Sequence, residues 1–136
     1  MCYQSCMSLG KQNLQTLLGQ MNPLLDPDEY VFATGPAPLP QAICSFRESE
    51  GVTLILERAD AEALGIPYTY PCRRITLTIH SSLESVGLFA AITTRLAAHG
   101  LSVNAVSGYY HDHLFVETGK ADRVMVLLKQ LASEYR

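Results

Sequence analysis

The sequence predicts an α+β fold, an antiparallel sheet with helices packed on one of its faces. Three observations predict it. The run from Ile75 to Val116 reads strand, loop, helix, strand, turn, strand. The order helix, strands, helix recurs in both halves of the chain. Apolar spacing switches between the period of a strand and that of a helix from one segment to the next.

At 136 residues the chain suits one ordinary domain or two small ones sharing a core. Hydrophobic residues make up 48% and charged ones 17%, without tryptophan, and mean hydropathy is +0.10. That composition leaves apolar surface to close a subunit interface, so a homo-dimer or higher homo-oligomer is expected. Net charge is −3, and the densest basic cluster is Arg73-Arg74, which argues against nucleic acid. No apolar run approaches the roughly 18 residues of a membrane span. The N-terminus has no basic region leading into an apolar block, so the chain reads as cytoplasmic. Cys2, Cys6, Cys44 and Cys72 read as unrelated free thiols, because Cys2 and Cys6 lack a second pair at zinc spacing.

Residues 1–9 read as a flexible N-terminus, and residues 10–70 as a first unit. Leu14, Leu17, Leu18 and Met21 fall at helical spacing over Gly10 to Met21, and Asn22-Pro23 ends that helix. Leu24 to Asp28 reads as a turn-rich connection and Glu29 to Thr34 as a strand. Three prolines between Gly35 and Pro40 make a loop, since they cannot donate to a ladder. Ile43 to Arg47 and Val52 to Glu57 form a hairpin across Glu48 to Gly51. Asp60 to Leu64 is a short helix closed by Gly65, with Pro67 beyond it.

Residues 71–136 form the second unit. Ile75, Leu77 and Ile79 alternate with Thr76, Thr78 and His80 in a strand from Arg73 to His80. The helix from Ser85 to His99 places Phe89, Ile92 and Leu96 on one stripe beside Leu88, and Gly100 stops it. Ser102 to Tyr109 and His113 to Val116 pair across His111-Asp112. Lys120 to Tyr135 is amphipathic through Ala121, Val124, Leu128 and Leu131. The first unit shows no opening strand and the second no closing one, so strand 73–80 is a candidate for sharing between them.

Chemistry concentrates at few positions. Gly87 stands in the first turn of a helix, whose leading N–H groups lack helical partners and favour an anion such as a carboxylate. Alternatively Gly87 serves close packing, with Ser85 as N-cap. Glu84 suits a ligand ammonium or the helix dipole alone. His111 and His113 share a strand face, with His80 the one further candidate ligand, so a metal site is incomplete. Tyr109-Tyr110 and Tyr68-x-Tyr70 suit an interface or a pocket equally. Glu48 and Glu50 read as solvated turn carboxylates. Without a P-loop, dinucleotide fingerprint or Ser/His/Asp order, neither a cofactor nor an enzyme is expected.

Three segments carry a family resemblance: Cys44-Ser45-Phe46-Arg47-Glu48-x-Glu50-Gly51-Val52-Thr53-Leu54, Ile75-Thr76-Leu77-Thr78-x-His80-Ser81-Ser82-Leu83-Glu84-x-Val86-Gly87, and Ser102-Val103-Asn104-x-Val106-x-Gly108 through Val116. Over residues 10–134 the chain resembles small stand-alone tandem ACT-domain proteins. The resemblance implies ferredoxin-like βαββαβ units and a regulatory, amino-acid-binding role. ACT ligands sit against the loop between first strand and first helix, often between two units. Carried over, that implies Ser82, Leu83, Glu84, Ser85, Val86 and Gly87, faced by Asn104, Ala105, Val106 and Ser107. Many amino-acid-binding members have Pro-Gly at the helix entry, and here Val86-Gly87 keeps the glycine without the proline. The implied partner is a small molecule such as an amino acid; the other reading is a ligand-free dimerising interaction protein.

Overall fold

The computed structural model describes residues 10–79 and 86–136. In chain order the elements are α1 (Gly10–Gln20), β1 (Pro23–Gly35), β2 (Cys44–Glu48), β3 (Gly51–Glu57), α2 (Arg58–Leu64), β4 (Thr69–Leu77), α3 (Leu88–Ala98), β5 (Asn104–Ser107), β6 (Asp112–Glu117) and α4 (Ala121–Ser133). The strands form one six-stranded sheet in the order β2-β3-β1-β4-β6-β5, and every neighbouring pair is antiparallel.

That order contains one four-strand pattern twice. β1, β2, β3 and β4 lie as β4-β1-β3-β2, while β4, β5, β6 and β1 lie as β1-β4-β6-β5. β1 and β4 therefore belong to both patterns, each opening one and closing the other. The strand expected at 73–80 is this shared β4, which starts earlier, at Thr69, and ends earlier, at Leu77.

Alternation along the strands sends Ile75, Leu77, Leu114 and Val116 to the face covered by α1, α3 and α4, where they meet Leu18, Ile92, Leu96, Val124 and Leu128. Farther along the same face Val31, Leu54 and Leu56 lie under Ala61 of α2. Gly65 ends α2 at φ 67, as its place after Leu64 predicts. Phe89, expected on the buried stripe, is 48% exposed, because Leu88, Ile92 and Leu96 form the inward row at i, i+4 and i+8.

The opposite face has a core of its own. Tyr30, Ile55, Cys72 and Phe115 are buried there, with Phe32 and Tyr70 half-buried against them. Their rings meet edge to face, Phe32 against Tyr70 at 5.7 Å and Phe115 at 5.8 Å. Burial pushes the Cys72 thiol up to about 12, so it stays a neutral packing group.

Leu24 to Asp28, expected as a connection, belongs instead to β1. Leu25 pairs with Ile75 and Glu29 with Arg73, so three residues of β1 stand opposite Arg74 alone. Pro27 is tolerated in that bulge, where no ladder donor is needed. The Asp28 N–H donates to Asp26 Oδ1 at 2.8 Å. Asp26 Oδ2 accepts from Arg74 Nη2 at 2.7 Å and from the Tyr30 hydroxyl at 3.0 Å. The Arg74 guanidinium also lies over the Tyr30 ring, 5.4 Å from its centroid.

Burial pushes the Asp26 carboxyl up, but the Asp28 N–H, the Arg74 guanidinium and the Tyr30 hydroxyl outweigh it and hold it below its ordinary value. A group depressed on folding contributes stability that is complete above its unfolded value, about pH 4, and lost as pH falls through the folded value. Asp26→Asn should cost about 1–3 kcal/mol at neutral pH and flatten this part of the acid limb. Urea unfolding at a series of pH values checks it; parallel curves for both proteins would refute the assignment.

Candidate functional site

The end of the sheet where β4 finishes carries the helix-entry glycine. Gly87 caps α3 at φ 94, in the left-handed region that favours glycine. Its carbonyl accepts the first helical bond, from the Ala91 N–H at 2.9 Å. A Cβ there would lie 3.0 Å from Leu14 Cδ2 of α1, so the residue also serves packing. Val86 beside it is 85% exposed. His80, Ser82, Leu83, Glu84 and Ser85 lie outside the described residues.

The implied facing strand is β5, at the edge of the sheet and separated from β4 by β6. Two strand spacings place it roughly 10 Å from β4. Ser107 shares a row with Asp112 and Leu77, at the same end as the helix entry. Asn104 shares a row with Phe115 and Arg74, at the far end. Ala105 and Ser107 face the helix side, and Asn104 and Val106 the other. The geometry thus brings Ser107 toward the Val86-Gly87 end and leaves Asn104 away from it.

His111 and His113 hold the turn between β5 and β6. His111 Nδ1 donates to the Ile79 carbonyl at 3.3 Å, and the Gly108 N–H donates to the His111 carbonyl at 2.9 Å. His113 Nδ1 hydrogen-bonds the Thr76 hydroxyl at 2.9 Å. Burial, then the charges of Arg74 and His111, push His113 below its ordinary value and keep it neutral. Among the described residues no three His, Cys, Asp or Glu side chains gather as metal ligands.

Two cavities are lined by described residues. One, of about 390 Å³, is bordered by Asp28, Glu29, Glu57, Arg58 and Glu62. Four carboxylates meet one cation there: Arg58 bridges Glu29 at 3.1 Å and Glu62 at 3.2 Å, Thr118 donates to Glu29 at 2.6 Å, and the negative charge of Asp28 pushes the Glu57 carboxyl above its ordinary value. Tyr68 belongs to this network, donating to Glu62 at 2.8 Å. The other, of about 520 Å³, lies between the Pro36–Pro38 loop and the tip of the β2–β3 hairpin. Sequence reasoning missed it. β4 is followed by α3, whereas β1 is followed by a proline-bearing loop, and the cavity lies beside that loop. The three prolines were the available signal.

Comparison with known proteins bears on the whole chain. ACT-domain family models match residues 9–73 and 69–130, overlapping at the start of β4. A Vibrio cholerae protein of unknown function, described as a possible transport protein, is 43% identical. That match covers 89% of this chain and 97% of the other, with a TM-score of 0.80. The ligand-free regulatory subunit of aspartate kinase from Thermus thermophilus superposes at TM-score 0.61 over 80% of this chain and 95% of that one, at 9% identity. A putative regulatory domain of aspartate kinase from Porphyromonas gingivalis reaches 0.54 over 82% and 96%, at 11% identity. At such identities these two likenesses concern the fold alone. Among curated proteins none matches the chain.

Proposed function

The chain belongs to the ACT-domain family, with two such domains in tandem, and on that basis we propose that it is a non-catalytic regulatory module binding an amino acid or a similar small metabolite. The observation that carries the reading is Gly87, a left-handed cap that opens a helix at the end of a shared strand. The leading N–H groups of α3 start there, and they favour a carboxylate. The proposed site is the loop Ser82 to Gly87, with Ser107 of β5 as its nearest counterpart across the sheet. Because β4 also closes the other unit, binding at this loop would act on both units and on a subunit interface.

A thermal-shift panel of the common amino acids tests it. A ligand at a hundredfold excess over Kd stabilises by about 2.7 kcal/mol, a readable shift. Gly87→Val should abolish that shift and cost about 1–3 kcal/mol through its positive φ. A flat panel would count against ligand sensing. It would favour the second reading, a ligand-free dimerising protein, which the exposed Phe46 and Tyr110, each 67% exposed, support.

A further inference from the structure

We propose that Tyr70 is a strained latch, which closes the aromatic core on the helix-free face of the sheet and swings away while the rest of the fold stays intact. Between the pairs Tyr30–Cys72 and Phe32–Thr69, Tyr70 and Pro71 of β4 stand opposite Val31 alone. In a bulge of this form whose first residue is left-handed, that residue is ordinarily glycine. Tyr70 holds the position at φ 59, the one residue other than glycine with positive φ among the described residues. A side chain disfavours that backbone by roughly ten- to a hundredfold. The proline that follows favours extended backbone for the residue before it. A bias toward release is therefore built into the chain at Tyr70-Pro71.

Little holds the residue in return. Its ring meets Phe32 edge to face at 5.7 Å, and its hydroxyl donates to the Phe115 carbonyl at 3.4 Å, long for such a bond. The helices pack on the other face, and Tyr70 is half-buried against Tyr30, Ile55, Cys72 and Phe115. The opening is local, because β4 from Cys72 to Leu77 is paired on both sides, with β1 and with β6. Phe32 belongs to β1 and Phe115 to β6, so the latch ties the start of β4 to both of its neighbours. It lies where the two family models overlap, at residues 69–73. β1 and β4 serve both four-strand patterns, so this one residue sets how firmly the two units grip at their seam. Cys72 reports on the latch. It is fully buried in the same cluster, and a buried, neutral thiol reacts only when it is uncovered.

The test is labelling of the native full chain with N-ethylmaleimide in a series of urea concentrations below the unfolding transition. Mass spectrometry of the tryptic fragment Ala59–Arg73, whose one cysteine is Cys72, reads the rate. Labelling through the latch should be at least about tenfold faster than global unfolding allows, and flat in urea. Tyr70→Phe, which keeps the ring and drops the hydroxyl bond, should speed it about threefold. Leu128→Ala, on the helix-covered face, should leave it unchanged, whereas labelling through global unfolding would rise about thirtyfold or more. A rate that climbs with urea from the first addition, that follows Leu128→Ala, or that ignores Tyr70→Phe would overturn the proposal.

Discussion

Phe115→Ala is expected to lower stability by about 4 kcal/mol. Phe115 is 2% exposed at the centre of the sheet face opposite the helices. Its ring meets Tyr30 at 6.1 Å and Phe32 at 5.8 Å, both edge to face, and its carbonyl accepts the Tyr70 hydroxyl at 3.4 Å. The truncation removes both aromatic contacts and leaves a hole bounded by a hydrogen-bonded sheet, which relaxes little. Phe115→Leu, which keeps most of the volume, should cost less than about 1.5 kcal/mol. Urea unfolding of the two variants reads the difference directly. A loss below about 1 kcal/mol for alanine would mean that this aromatic cluster adds little to the fold.

Ile75→Ala is expected to cost about 3 kcal/mol and to do so in a single transition. Ile75 is fully buried in β4, paired with Leu25 of β1 on one side and Leu114 of β6 on the other. Weakening β4 weakens the strand that both four-strand patterns use, so neither has a reason to survive alone. Far-ultraviolet circular dichroism and tyrosine fluorescence should report the same midpoint. Separate midpoints would show that the two halves fold independently, against the topology.

The parts of this fold legible in the sequence are those set by local periodicity. Ile75 and Leu77 announce a strand, and Ile92 and Leu96 a helix, because each pattern needs nothing beyond its own segment. Gly65 and Gly100 mark helix ends for the same reason, and both have positive φ. The rest depends on partners far along the chain. Asp26-Pro27-Asp28 looks like a turn, and it lies in a strand because Arg74, 48 residues away, holds Asp26 opposite β4. Tyr30, Phe32, Tyr70 and Phe115 come together through sheet order, which no window of sequence contains. Tyr70 even adopts φ 59, at the second register shift between β1 and β4.

The candidate sites divide in the same way. Gly87 is conspicuous in sequence, since a glycine at a helix entry is costly unless the backbone requires it. That Leu14 of α1 leans on it is a tertiary fact. The resemblance sets Asn104 to Ser107 against the loop as one strand, and strand alternation distributes them between two faces.

The interleaving of β1 and β4 bears on how such a protein could be divided or passed on. A joint cut between the two repeats would give each fragment a borrowed strand it cannot keep and a bare edge where its neighbour had been. Neither piece would be a smaller version of the whole. In recombination, the unit of inheritance is the pair.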